Sequence, residues 1–71
     1  MIRTTLDVKI NDRLVNLPDG STVSEALAAM EISPDGIATA VNGTVVPALK
    51  RGEAVLNQGD SIVVIKAFYG G

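Results

Sequence analysis

The chain has 71 residues, no cysteine and no histidine, and a net charge of −2 at neutral pH. That length holds one domain near the lower size limit for a self-sufficient core. Without Cys there are no disulfides, thiolate nucleophiles or cysteine metal clusters, and without His there is no proton shuttle tuned near neutral pH. The few cations weigh against nucleic acid, whose phosphates demand clustered Lys and Arg; the adjacent pair Lys50-Arg51 reads as a solvated turn. Residues 1–7 reach charge before any long apolar run, and no later stretch approaches the ~20 apolar residues that span a membrane. The expectation is a soluble cytoplasmic protein, monomeric when free.

Alternation of Leu6, Val8 and Ile10 runs into Asn11-Asp12 and resumes through Leu14, Val15 and Leu17, the pattern of a β-hairpin. Pro18-Asp19-Gly20-Ser21 stops the second strand. Thr22-Val23-Ser24-Glu25 matches a capping box, so a helix is predicted from Val23. Its apolar stripe is Val23, Ala26, Leu27 and Met30, and Ser33-Pro34-Asp35-Gly36 should end the segment. Ile37 to Val41 reads as a strand, and Asn42-Gly43 is a strong hairpin signal that folds Thr44-Val45-Val46 back on it. Pro47 breaks that ladder, and 48–52 suffice for about one helical turn. After the turn at Asn57-Gln58-Gly59-Asp60, the run 61–66 is β-branched and apolar on both faces, which suits a central strand and a parallel one in particular.

The fold class is therefore α+β: a mixed sheet of about five strands, two hairpins plus a final central strand, with one main helix across one face. The domain is expected to occupy 1–66 and a flexible tail 67–71. A single helix covers one face of a sheet, so some of Ile62, Val63, Val64 and Ile65 should face outward. Ile62 and Val64 are candidates for a partner-docking surface. Loops around Leu49 and Val55 covering that face are the alternative.

No catalytic constellation emerges: there is no Gly-rich phosphate loop, and the acids are scattered through turns and the helix start, where they solvate and cap. Asp7 with Asp12, or Asp19 with Glu25, form nominal carboxylate pairs with no apolar pocket to shift a pKa. No metal site and no cofactor of its own are expected, and the protein reads as a non-enzyme.

The end of the chain, Lys66-Ala67-Phe68-Tyr69-Gly70-Gly71, carries the one Phe and the one Tyr side by side. Either a partner buries Phe68 and Tyr69, or Phe68 plugs the open end of the core. Gly70 and Gly71 lack Cβ atoms, so such a strand can thread a narrow channel and present a terminal carboxylate inside another protein. From Lys66 to Gly71 an extended chain spans roughly 20 Å. A carboxylate is ionised at neutral pH and is a poor electrophile, so Gly71 needs activation, for which condensation with ATP is the standard route. The chain has no nucleotide site, so ATP would be used by a partner.

Ala40-Val41-Asn42-Gly43-Thr44-Val45-Val46-Pro47, followed by Leu56, Gly59-Asp60, Ile62, Val64 and Gly70-Gly71, resembles the ThiS family of sulfur carriers in thiamine-thiazole biosynthesis. The resemblance implies a ubiquitin-like β-grasp fold, adenylation of Gly71 by a ThiF-like adenylating enzyme, and conversion to a thiocarboxylate with sulfur from a persulfide donor. It further implies delivery of that sulfur to a ThiG-like thiazole synthase. The related MoaD carriers of molybdopterin synthesis share the fold and the Gly-Gly end but usually place prolines where this chain has Ala67-Phe68-Tyr69. A ubiquitin-like modifier joined to lysines through Gly71, and a passive interaction module, are the remaining readings.

Overall fold

The computed structural model describes residues 4–66. The expected tail, with Phe68, Tyr69, Gly70 and Gly71, lies outside the described residues. Strands β1 (Thr5–Ile10) and β2 (Arg13–Pro18) form the first hairpin. Its turn residues Asn11 and Asp12 have φ of 49° and 68°. Left-handed backbone at both central positions matches the right-handed twist of the flanking strands, and Asn and Asp tolerate it better than other residues with a Cβ. The resulting register sets Leu6 opposite Leu17 and Val8 opposite Val15, so the apolar halves of both strands share one face.

The helix α1 (Val23–Ala29) starts where the capping box predicts. The Glu25 backbone N–H donates to Thr22 Oγ1 at 3.3 Å, and the Thr22 N–H donates back to Glu25 Oε1 at 3.2 Å. Val23, Ala26 and Leu27 are buried, and Met30 packs against them at the cap. The helix stops before the Ser33-Pro34 breaker. Glu31 adopts φ 58° and donates its N–H to the Ala28 carbonyl at 3.1 Å, while the Ile32 N–H reaches the Leu27 carbonyl at 2.9 Å. That pair of bonds is a Schellman motif, and Ile32 packs against the same core cluster as Leu27. Glycine usually fills the left-handed position, and here a glutamate does.

Strands β3 (Ile37–Val41) and β4 (Thr44–Val46) make the second hairpin around Asn42-Gly43, and a 3-10 turn (Ala48–Lys50) follows Pro47. The chain then crosses the start of α1, where the Val23 N–H donates to the Ala54 carbonyl and the Leu56 N–H to the Ser21 carbonyl. The last strand, β5 (Ser61–Lys66), enters the middle of the sheet, whose order is β2-β1-β5-β3-β4. It runs parallel to β1 over two register pairs and antiparallel to β3 over five. The parallel pairing expected of this strand is thus the shorter of its two ladders. A mixed five-stranded sheet holding one helix in this order is the ubiquitin-like β-grasp.

The core lies between α1 and one sheet face: Leu6, Val8, Ile10, Leu17, Val23, Ala26, Leu27, Leu56 and Ile62. Burying each Leu, Ile or Val there contributes about 1.5–3 kcal/mol. The exposed Lys50–Glu53 ion pair, by contrast, belongs to a class worth about 0–1 kcal/mol. Burial therefore holds the domain together. Since a left-handed residue with a Cβ costs roughly 1–2 kcal/mol and glycine loses part of that gain to chain entropy, Glu31→Gly should stabilise the domain by about 0.5–1 kcal/mol. Urea unfolding at constant m-value measures this, and a lower midpoint would show that the Glu31 side chain does more than occupy the cap.

Candidate functional site

The face of the sheet turned away from α1 carries the docking candidates, and the alternation of β5 sorts them. Ile62 stands opposite Ile10 and Val41 on the helix side and is only 1% exposed, so it belongs to the core and offers nothing to a partner. Val64, two residues on, is half-buried against the same cluster. The outward residues are Val63 and Ile65, at 43% and 58% exposure. The period of two in a strand forces this split: a run apolar at every position must turn half of its side chains away from a one-sided core.

Val63 is level with Ala40 on β3, which is level with Val45 on β4; Ile65 is level with Ala38. The two alanines keep the middle strand low, so Val45, Val63 and Ile65 surround a flat apolar strip across β4, β3 and β5. Val55 and Leu49 are themselves exposed, Leu49 at 93%, and their loops do not cover Val63 or Ile65. On the β1 side the same face turns polar. The Asn16 Nδ2 donates to Asp7 Oδ1 at 2.9 Å and to Thr5 Oγ1 at 3.2 Å, and Gln58 Nε2 donates to Asp7 Oδ2 at 3.4 Å. Lys9 stands between this network and the strip, level with Leu14 on one side and Ser61 on the other. An apolar centre with a polar, charged margin is the composition of a protein-binding surface.

Of the four carboxylates that pair nominally in sequence, Asp7 and Glu25 make structural hydrogen bonds, and Asp12 and Asp19 lie in turns. Asp7 anchors the Asn16 and Gln58 amides, Glu25 closes the capping box, and Asp12 sits in the first hairpin turn. Among the described residues no three His, Cys, Asp or Glu side chains converge as a metal would require.

The segment that carries the family resemblance also resolves into structure. Asn42, at φ 50°, donates from Nδ2 to Asp60 Oδ1 at 2.9 Å and accepts the Ser61 N–H on Oδ1 at 2.9 Å. Asp60 Oδ2 accepts the Asn57 N–H at 2.7 Å, and the Asn42 N–H donates to the Ser61 carbonyl at 2.8 Å. Two turns 18 residues apart are thereby stapled at the point where β5 begins.

Arg51 departs from its sequence reading. It is 4% exposed, whereas Lys50 beside it is exposed. Its guanidinium donates from Nη2 to the Ile37 carbonyl at 2.7 Å, from Nη1 to the Pro34 carbonyl at 3.0 Å and from Nε to Thr39 Oγ1 at 3.2 Å. Among the described residues no carboxylate forms a salt bridge with it. Hydrogen bonds from a charged donor are worth about 1.5–3 kcal/mol each, against several kcal/mol for burying the ion. The clamp is near balance in stability and holds geometry instead. Sequence signals for it are absent, because two of its three partners are main-chain carbonyls and the third is a hydroxyl 12 residues away.

The fold defines a small ubiquitin-like domain with an apolar strip on its outward face. The chain belongs to the ThiS family, whose model matches residues 4–71; these are small β-grasp sulfur-carrier proteins of thiamine biosynthesis. In structure it is similar to the thiamine biosynthesis protein ThiS from Geobacter metallireducens, with a TM-score of 0.78 and 17% identity over 93% of this chain and 100% of that one. A search of curated proteins found no match. At that identity the structural likeness speaks for the fold, and the family match rests on the sequence.

The staple between turns yields a quantitative expectation. Asp60→Ala removes a charged acceptor from Asn42 and from the Asn57 amide and should cost about 1–3 kcal/mol. Asn42→Gly keeps the turn conformation while removing the other partner. In a double-mutant cycle the two should couple by at least about 0.5 kcal/mol; additive effects would show that the turns are held independently.

Proposed function

We propose that this chain carries sulfur on the carboxylate of Gly71 for assembly of the thiamine thiazole. The observation that carries the reading is the family match extending through residue 71, which takes in the Gly70-Gly71 end together with the β-grasp domain. A ThiF-like adenylating enzyme supplies ATP: the Gly71 carboxylate oxygen attacks the α-phosphorus, pyrophosphate leaves, and the acyl-adenylate forms. A persulfide then displaces AMP, and a thiol reduces the acyl disulfide to release the thiocarboxylate, which a ThiG-like thiazole synthase consumes. The chain acts as co-substrate, and its cysteine-free composition leaves no internal thiolate to intercept the activated terminus.

Gly70 gives the strand the slimness to enter the enzyme, and Phe68 and Tyr69 add aromatic contact near the channel mouth. The domain docks through the strip of Val45, Val63 and Ile65, which takes the place of Ile62 in the docking surface. Lys9 at its margin favours a partner with a carboxylate opposite.

Intact mass of the protein isolated from its native cells tests the central claim: exchange of one oxygen for sulfur is expected. Deleting Gly71 withdraws the carboxylate by up to about 3.5 Å, beyond the near-attack range of roughly 3–3.5 Å. ATP–pyrophosphate exchange with the adenylating enzyme should fall by orders of magnitude while the melting curve stays unchanged. Normal exchange with the deleted chain would sink the proposal. Ile65→Asp should leave the fold intact, because the side chain is exposed, and weaken the enzyme complex by about 2 kcal/mol or more; unchanged affinity by calorimetry would move the docking surface elsewhere.

A further inference from the structure

The end of β5 and the strand beside it, β3, are flanked by side chains standing where strands have run out: Asn11 bonds β5 itself, and Arg51 bonds the far edge of β3. On one flank, β4 stops pairing with β3 at Thr39↔Val46, and Pro47 follows without an N–H. The residues of β3 that bond toward β4 alternate, Val41 then Thr39, so Ile37 is next along that edge. Its carbonyl accepts at 2.7 Å from Nη2 of Arg51, the residue that follows the 3-10 turn. The other two donors of the guanidinium fix the Pro34 carbonyl and Thr39 Oγ1 on either side of it.

On the opposite flank, β1 pairs with β5 only at Lys9↔Ser61 and Ile10↔Ile62 before the chain turns away at Asn11. The Asn11 N–H still donates to the Ile62 carbonyl at 3.0 Å. Its side-chain amide then performs the bonding of one further strand residue. Nδ2 donates to the Val64 carbonyl at 3.2 Å, and Oδ1 accepts the Val64 N–H at 2.9 Å. The left-handed backbone of Asn11 turns the chain, while its amide prolongs the ladder the chain has left.

Between these two splints lie Ala38↔Ile65 and Ile37↔Lys66, the last register pairs of the sheet, and after Lys66 the sequence continues directly into 67–71. We propose that Asn11 and Arg51 are positioning residues that set the direction in which β5 delivers the chain end to the partner enzyme. This rests on the carrier reading for its enzymatic consequence, and on the hydrogen bonds alone for its structural one. When the splints are lost, the competent arrangement is populated for a smaller fraction of the time. The apparent affinity for the enzyme falls by that fraction, and turnover at saturation is unaffected.

The test uses the full chain in two measurements well below the melting temperature. Amide hydrogen exchange on the free protein compares Val64 and Ile65 with the β1–β2 ladder in Asn11→Gly, Asn11→Asp, Arg51→Met and Arg51→Lys. Asn11→Gly retains the turn and loses the amide, and should raise exchange at Val64 and Ile65 on the order of tenfold while leaving the β1–β2 ladder alone. Asn11→Asp, which keeps the acceptor for the Val64 N–H, should recover part of the protection, as Arg51→Lys should relative to Arg51→Met. In ATP–pyrophosphate exchange, the KM for the carrier should rise by a similar factor with kcat unchanged. Unaltered exchange at Val64 and Ile65, or raised exchange with an unaltered KM, would overturn the proposal. If Arg51→Met does not fold, the Asn11 pair decides alone. A wild-type chain that the enzyme does not adenylate would overturn the carrier reading, and the hydrogen-exchange comparison would still decide whether the two side chains hold the strand.

Discussion

Strand β5 is the constraint on which the architecture turns. It is the last segment of the domain in the chain, yet it occupies the middle of the sheet, with a hairpin on either side. Neither hairpin contacts the other through a ladder, so the sheet exists only once β5 has paired with both. Its pairing with β1 closes a loop of some fifty residues, a long-range contact whose entropy is met late in folding. Ile62 supplies the burial that offsets this cost, locked between Ile10 and Val41 under the helix.

A strand in that position must satisfy its backbone on two edges although its neighbours are of unequal length. The domain meets the shortage with polar side chains. Asn42 and Asp60 staple the entry of β5, Asn11 covers Val64, and Arg51 covers Ile37 on the next strand. No buried side-chain polar atom among the described residues is left without a partner. Several residues that look like polar turn filler in the sequence are thus main-chain partners of a strand that reaches beyond its neighbours.

The other consequence of the central position concerns the outward face of the sheet. A strand buried on one face and apolar on both leaves Val63 and Ile65 in solvent, where alanines on β3 and Val45 on β4 extend them into a strip. The described residues that carry the family resemblance lie in β3, β4 and β5 and in the turns and connections that join them, where Asn42 and Asp60 tie two turns together. The alternation of β5 alone turns Val63 and Ile65 to the outward face.

Elements and turns were legible in the sequence because each depends on neighbours a few positions away. The capping box Thr22-Glu25, the stripe Val23-Ala26-Leu27, the Asn11-Asp12 and Asn42-Gly43 turns and the alternation of β1 are relations of two, three or four residues. The resemblance of residues 40–47 to the ThiS family added topology that periodicity alone does not contain. What the local patterns could not settle were quantities set by distant partners. A β-branched run reads as apolar on both faces, and only pairing with Ile10 and Val41 decides that Ile62 is core and Val63 surface. Glu31 ends the helix in place of a glycine because Ile32 finds the core there. Arg51 looked like half of a solvated Lys-Arg turn; its burial follows from carbonyls of Pro34 and Ile37 left open where β4 ends, 17 and 14 residues earlier in the chain. Side-chain type is a local property, but the main-chain groups a side chain must satisfy are assigned by which strands run short, and that is decided by tertiary structure alone.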